Sequence, residues 1–140
     1  MTMDDAYAVQ RAWVDRKVAD GDRITGYKIG LTSRAMQNAM NITTPDFGVL
    51  LEGMYFANNS TVVAADFCDP RIEVELAFVM KKPLFGNDVT IEQVLDATDY
   101  VVPSLELIAA RSFRTDPESG YTRKVFDTIA DNAANAGYCG

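Results

Sequence analysis

The sequence of 140 residues contains no histidine. This absence excludes a Ser-His-Asp or Cys-His nucleophile system within the chain, and it excludes histidine-ligated zinc. Acid–base catalysis would therefore depend on Asp, Glu, Lys, Tyr or water. A metal site would consist mainly of oxygen ligands, which favours magnesium, manganese or calcium over zinc or copper.

Cysteine and positive charge are also scarce. The two cysteines, Cys68 and Cys139, form no CxxC pair, which favours a reducing, cytoplasmic location. Acidic residues outnumber basic ones by 20 to 13, which gives a net charge of −7. We therefore expect a small-molecule partner rather than nucleic acid or an anionic membrane. No stretch has the length of a membrane span or the apolar centre of a signal peptide.

The remaining pattern predicts one α+β domain, because its 48% hydrophobic and 24% charged content is typical of globular proteins. Apolar periodicity and capping residues predict helices at residues 4–20, 33–40, 90–97 and 124–136. Alternating or apolar segments predict strands at residues 23–32, 49–56, 61–65, 71–80 and 100–109. Pro103 predicts a break or a sheet edge within the last strand. Proline and glycine predict loops at residues 43–48 and 111–123.

Glu73 and Glu75 occupy one face of the predicted strand at residues 71–80. They lie roughly 6.6 Å apart along the strand, and Ala77 and Val79 follow on the same face. Two carboxylates on a partly apolar face repel each other unless positive charge compensates them. A divalent cation with oxygen ligands would provide that charge. The alternative is a half-exposed strand face whose two acidic side chains are in water.

Glu106 is the single charge in an apolar segment and is flanked by Leu105 and Leu107. A carboxylate in such a strand must be paired, protonated or bound to a metal. Arg111 is a possible structural partner. The metal alternative joins Glu106 to the two glutamates of the preceding strand, and three carboxylates with waters and a bidentate substrate would complete an octahedron around magnesium.

Two further residues are candidates for chemistry. Lys28 shares a strand face with Gly26 and Gly30, and these glycines leave room beside it for a ligand or another backbone. The alternative is a surface lysine on an edge strand. Asp46 lies in Thr-Pro-Asp-Phe-Gly, where it could simply form a turn.

Three polar residues recur every four positions in the last predicted helix: Asp127, Asp131 and Asn135. Side chains at this spacing share one face of a helix. Such a face is typically exposed to solvent, so no site is predicted there.

Four segments carry a resemblance to a known family. They are Gly-Tyr-Lys-Ile-Gly-Leu-Thr-Ser-Arg-Ala-Met, Thr-Pro-Asp-Phe-Gly-Val-Leu-Leu, Pro-Arg-Ile-Glu-Val-Glu-Leu-Ala-Phe and Leu-Glu-Leu-Ile-Ala-Ala-Arg. In order and spacing they resemble the hydratase/decarboxylase branch of the fumarylacetoacetate hydrolase family. A fifth segment, Arg-Lys-Val-Phe-Asp-Thr-Ile-Ala-Asp-Asn-Ala-Ala-Asn-Ala-Gly, looks most like the 2-oxo-hept-3-ene-1,7-dioate hydratases of 4-hydroxyphenylacetate (homoprotocatechuate) degradation.

The resemblance implies a fold, and it implies which part of the family's domain this sequence contains. Members carry a further N-terminal segment and a long β-rich C-terminal region that this sequence lacks. We therefore predict that residues 1–140 form a single partial domain, the N-terminal part of a mixed β-roll or barrel with flanking helices. A homo-oligomer is also expected.

The resemblance also implies an activity and a site. The activity is Mg²⁺-dependent hydration of 2-oxo-hept-3-ene-1,7-dioate to 4-hydroxy-2-oxoheptanedioate, with Mn²⁺ or Ca²⁺ as alternative ions. The alternatives are a 4-oxalocrotonate-type decarboxylase, a 2-hydroxypentadienoate hydratase, and an inactive fragment that only oligomerises. Glu73, Glu75 and Glu106 would be the metal ligands, and Lys28 and Asp46 the catalytic residues. A dicarboxylate substrate also needs a cation for its distal carboxylate, and the candidates are Arg111, Arg123 and Lys124.

Overall fold

The structure, a computed structural model, describes residues 1–140. It contains four α-helices, α1 to α4 in chain order, which span Met3–Ala19, Arg34–Ala39, Ile91–Ala97 and Val125–Ala130. Five strands, β1 to β5, span Ile24–Gly30, Asp46–Leu51, Arg71–Met80, Thr98–Ile108 and Asn135–Cys139. The strands β1 and β2 form one antiparallel pair, and β3, β4 and β5 form a second antiparallel sheet in that order. The α+β prediction is confirmed.

Side-chain caps explain where three helices begin. The Thr2 hydroxyl accepts a hydrogen bond from the backbone N–H of Asp5, whose carboxylate accepts the Thr2 N–H in return. The Thr90–Gln93 pair forms the same reciprocal arrangement at α3, and the Ser33 hydroxyl caps α2. Each cap satisfies N–H groups that a helix terminus leaves without partners. These helix starts confirm the sequence predictions.

One loop prediction and one strand prediction are wrong. The predicted loop at residues 43–48 ends inside β2, because Asp46, Phe47 and Gly48 pair with β1 from Gly30 back to Lys28. The strand predicted at residues 61–65 is absent, and a 3₁₀ turn occupies Ala64–Asp66. Strand propensity depends on a neighbouring strand, and this segment has none.

The predicted helix at residues 124–136 ends at Ala130. The backbone of Asn132, Ala133 and Ala134 then takes the left-handed conformation, with φ angles of 54°, 50° and 59°. A left-handed residue cannot continue a right-handed helix, and it is unfavourable for residues other than glycine, asparagine and aspartate. The chain turns sharply and runs on as β5 from Asn135.

Pro103 lies in the middle of β4 without interrupting it. It is opposite Leu76 of β3, whereas pairing of β4 with β5 extends only from Leu105 to Ile108. The proline therefore lies where β4 has a neighbour on one side only, the setting in which sheets tolerate proline. The predicted edge is confirmed locally, although β4 is the central strand.

The apolar side of β3 is largely uncovered. Val74 is 81% exposed and Leu76 is 65% exposed, and Ile72, Phe78 and Met80 of the same face are exposed as well. The buried core is small and is centred on Val14, Val49 and Leu51, where α1 meets β2. None of the helices is long and apolar enough to cross a membrane.

Candidate functional site

The register of β3 and β4 brings the three predicted metal ligands together. Glu73 is directly opposite Glu106, and Glu75 follows two residues along on the same face. Directly opposed residues in an antiparallel pair have their Cβ atoms about 5 Å apart. One carboxylate oxygen from each glutamate lies within 4.8 Å of the other two. We call these three residues the glutamate cluster.

Lys28 reaches the glutamate cluster from the other sheet. Its Nζ atom lies 3.3 Å from Oε1 of Glu106, and the side chains are 14% and 8% exposed. The burial excludes the alternative of a surface lysine. The neighbouring glycine of β2, Gly48, leaves room for this side chain, because a Cβ there would lie 3.3 Å from Lys28 Cε.

Asp46 lies beside this ion pair at the start of β2, opposite Gly30. Its side chain fills the space that Gly30 leaves, since a Cβ on Gly30 would collide with Asp46 Oδ1. That oxygen is buried and makes no hydrogen bond. Burial raises the pKa of Asp46, and the positive charge of Lys28 opposes the rise. Asp46 is therefore a group that can hold a proton at the site.

Glu106 is the buried member of the glutamate cluster. Burial raises its pKa, while Lys28 and a hydrogen bond from Asn135 oppose the rise. The bond runs from Asn135 Nδ2 to Glu106 Oε1 at 3.0 Å. Positive charge near Glu106 thus favours its carboxylate form, which is the form that binds a cation.

Asn135 is a site residue that the sequence did not predict. Its spacing from Asp127 and Asp131 predicts a solvated helix face, but Asn135 begins β5 and is completely buried. The signal that could have identified it is the Asp-Asn-Ala-Ala-Asn stretch, because asparagine tolerates the left-handed backbone that ends a helix.

The residues present are suited to a hard divalent cation. Three carboxylates supply oxygen ligands, and such ligands are preferred by magnesium and calcium. Two further oxygens, Asn135 Oδ1 and Asp46 Oδ1, are buried without a hydrogen-bond partner. Buried oxygens without partners are costly in a folded protein unless an ion, a water or a ligand satisfies them.

The three predicted cations for a distal carboxylate lie in different settings. Arg111 does not contact Glu106; its guanidinium binds the Asp131 carboxylate at 2.6 Å and the backbone oxygens of Asp131 and Asn135. Lys124 places its ammonium over the ring of Tyr121. Arg123 lines a cavity and donates to the Ser112 carbonyl at 3.1 Å.

Comparison with known proteins gives relatives for almost the whole chain. It is 57% identical over 137 residues to 2-oxo-hept-4-ene-1,7-dioate hydratase of Escherichia coli, covering 98% of this chain and 51% of the relative. It is 38% identical over 138 residues to a 2-keto-4-pentenoate hydratase of Paraburkholderia xenovorans, covering 99% of this chain and 49% of the relative. The chain thus spans about half the length of these relatives. No protein-family model matches the sequence.

Solved structures give the same grouping. The fold superposes on 4-oxalocrotonate decarboxylase from Pseudomonas putida G7 with a TM-score of 0.87 and 35% identity, covering 99% of this chain and 50% of that one; that enzyme was solved with calcium and acetate. A second structure of it, with magnesium and adipate, gives a TM-score of 0.86. Sequence identity and fold together confirm the predicted resemblance to the hydratase/decarboxylase branch of the fumarylacetoacetate hydrolase family.

Proposed function

We propose that this chain carries the metal site and the proton-transfer groups of a hydro-lyase that adds water to a 2-oxo-alkenoate in aromatic catabolism. The observation that carries the proposal is the glutamate cluster, with the buried Lys28 and Asp46 beside it. The hydratase names of the relatives support it, and the calcium and magnesium in the related decarboxylase support a divalent cation.

Glu73, Glu75 and Glu106 would hold the cation, with Mg²⁺ as the expected ion and Mn²⁺ or Ca²⁺ as alternatives. When bound, it supplies positive charge that stabilises the negative charge developing on the oxo oxygen as water adds at C4. The ion pair with Lys28 and the hydrogen bond from Asn135 favour the carboxylate form of Glu106 against the opposing effect of burial. These two partners therefore favour the ionised form of this ligand even without a bound cation.

Lys28 and Asp46 would move the protons. The Lys28 ammonium can donate to an oxygen of the substrate, and the raised pKa of Asp46 suits a carboxyl group that accepts a proton from water and returns it to carbon. Burial of both groups limits exchange of these protons with bulk water.

The predicted substrate and the substrate in the name of one relative differ in the position of one double bond. The sequence predicts the 3-ene isomer of the seven-carbon acid, whereas the E. coli relative is named for the 4-ene isomer. Placing a hydroxyl at C4 converts either isomer to 4-hydroxy-2-oxoheptanedioate. Both isomers are therefore substrates to test.

Substitution of Glu75 by glutamine tests the metal assignment. We expect Glu75→Gln to weaken magnesium binding, measured by calorimetry, and to abolish magnesium-dependent loss of the substrate's ultraviolet absorbance. Glu118→Gln is the matched control, because it removes the same charge from an exposed loop. Unchanged magnesium affinity in Glu75→Gln would refute the assignment.

Decarboxylation of 4-oxalocrotonate is an alternative on the same residues, favoured by the similarity to the P. putida decarboxylase. Hydration of 2-hydroxypentadienoate is another, since a relative with that activity in its name is 37% identical. All three reactions develop negative charge on the same oxo oxygen, so the glutamate cluster does not separate them. Offering the three substrates in parallel would.

Self-association is a second candidate function, and a specific feature favours it. The strand β3 forms one edge of its sheet, and its apolar face is exposed. An exposed edge can pair with the same strand of a second copy, which would satisfy its backbone groups and cover apolar surface. Sedimentation of the wild type and of Val74→Lys tests this: we expect a wild-type dimer and a monomeric variant, and a monomeric wild type would exclude it.

A further inference from the structure

A cavity of about 280 Å³ is lined by three arginines, Arg71, Arg114 and Arg123. Its other walls include the apolar residues Ile108 and Ala109. The only acidic residue of the lining is Asp69. In a chain with a net charge of −7, this excess of positive charge around one cavity indicates a binding place for an anion. We call it the arginine cavity.

The arginine cavity adjoins the glutamate cluster along the same sheet face. Arg71 and Glu73 are two residues apart in β3, so they are on one side of the strand. Their partners in β4, Ile108 and Glu106, are directly opposite them. The step from one residue pair to the next on the same face is about 6.8 Å. A molecule with an anionic group at each end of a short chain can therefore extend from one site to the other.

Two of the three arginines have no carboxylate partner. Arg71 pairs with Asp69 at 3.1 Å, but no ion pair involves Arg114 or Arg123. The backbones of these two residues pair across a hairpin, in which the Arg123 N–H donates to the Arg114 carbonyl at 2.9 Å. Two arginines that line one cavity and have no carboxylate partner can bind a carboxylate there with several charge-assisted hydrogen bonds.

We propose that the arginine cavity binds the distal carboxylate of a 2-oxo dicarboxylate, and that Arg114 and Arg123 select dicarboxylates over monocarboxylates. The inference rests on the proposed function, because it places the 2-oxo acid end of the substrate at the glutamate cluster. Of the three cations that the sequence predicts for the distal carboxylate, it retains Arg123. It adds Arg114, which the sequence did not predict. Neither Arg111 nor Lys124 lines the arginine cavity, and Asp131 already occupies the Arg111 guanidinium.

A matched pair of probes tests the selection directly. They are 2-oxoheptanedioate and 2-oxoheptanoate, which differ only in the distal carboxylate, and their dissociation constants are measured by calorimetry in magnesium chloride. We expect the chain to bind the dicarboxylate tighter by about tenfold to a hundredfold, the effect of one or two hydrogen bonds to a charged group. Arg114→Gln should lose about tenfold of dicarboxylate affinity and leave the monocarboxylate unchanged.

Arg114 is the better variant because its side chain makes no ion pair and no hydrogen bond in the structure, so the substitution removes neither. Arg11→Gln, an exposed site on α1, controls for the change in net charge. The double variant Arg114→Gln and Arg123→Gln should bind the two probes equally. Equal weakening of both probes in Arg114→Gln, no effect on either, or a wild type that binds neither would overturn the proposal.

The Glu75→Gln variant separates this inference from the proposed function. If the glutamate cluster holds the 2-oxo acid end, Glu75→Gln weakens both probes by the same factor. If Glu75→Gln changes neither probe while Arg114→Gln remains selective, the proposed function fails and the arginine cavity stands as a carboxylate site.

Discussion

Lys28 Nζ lies 3.3 Å from Glu106 Oε1, and protein surrounds both side chains almost completely. The pair joins the β1–β2 sheet to the three-stranded sheet at the centre of the proposed site. Removing one member of a buried ion pair leaves the other charge without compensation, which costs far more than the loss of an exposed pair. The ion pair is therefore both a structural link and a means of controlling the charge on Glu106.

We expect Lys28→Met to lower the free energy of unfolding at pH 7 by about 3 kcal/mol, measured by urea denaturation. The pKa of Glu106 should rise further, because Lys28 opposes the effect of burial. Lys81→Met is the control, since Lys81 is exposed just after β3. Equal stabilities of the two variants would show that the ion pair contributes nothing.

Asp46→Asn should change how stability depends on pH. Because burial raises the pKa of Asp46 above 3.8, the folded state binds this proton more tightly than the unfolded state. That contribution is fully present below pH 3.8 and is lost as the pH rises through the raised pKa. The asparagine variant should therefore be more stable than the wild type at pH 7, and the difference should shrink towards pH 3.

The same Asp46→Asn variant should lose proton transfer while gaining stability, because a side-chain amide does not ionise near neutral pH and cannot act as a general acid or base. Thermal unfolding at pH 7 and pH 3 measures the difference in stability between the variant and the wild type. Asp88→Asn, in an exposed loop, serves as the reference. A stability gain of the same size at both pH values would contradict the assignment of the effect to ionisation.

Asn132 holds the outer edge of β2 with its side-chain amide. Its Oδ1 accepts the Val49 N–H at 2.7 Å, and its Nδ2 donates to the Val49 carbonyl at 2.9 Å. Asn132→Ala leaves two buried backbone groups without partners, and we expect a loss of about 2–4 kcal/mol in urea unfolding. Asn38→Ala, at an exposed position of α2, should change the free energy of unfolding by only a few tenths of a kcal/mol.

Gly137 lies too close to Phe56 and Met54 to carry a side chain. A Cβ there would lie 2.9 Å from Phe56 Cδ2, still closer to Phe56 Cε2, and 3.2 Å from the Met54 carbonyl oxygen. We expect Gly137→Ala to cost about 1–3 kcal/mol through overpacking. Gly26→Ala is the matched strand control, because its Cβ would make ordinary contact with Leu50 at 3.6 Å. A thermal midpoint unchanged in Gly137→Ala alone would argue against the close approach.

Sequence patterns predicted the features that depend on neighbours along the chain. The caps at Ser33 and Thr90 act within one helical turn. The alternation that placed Glu73 and Glu75 on one face depends only on the period of a strand. Both kinds of prediction agree with the structure because no distant contact competes with them.

The features that were missed depend on distant contacts. Asp46 begins a strand because β1 lies beside it, although its Thr-Pro-Asp-Phe-Gly sequence favours a turn. Asn135 is buried because β5 pairs with β4 next to Glu106. Neither the ladder partner of a strand nor the three left-handed residues before Asn135 follow from local propensity.

The spread of the site along the chain has a consequence for how it forms. Lys28, Glu106 and Asn135 come from β1, β4 and β5, and Asn135 donates to Glu106 across 29 residues of sequence. Contacts of such long range carry a large loop-closure cost and form late in folding. During synthesis, the glutamates leave the ribosome before Asn135 does, so a nascent chain that has reached only Glu106 carries the three glutamates without the asparagine that binds Glu106. Cation affinity should therefore rise with the docking of β5, and magnesium binding can report that docking.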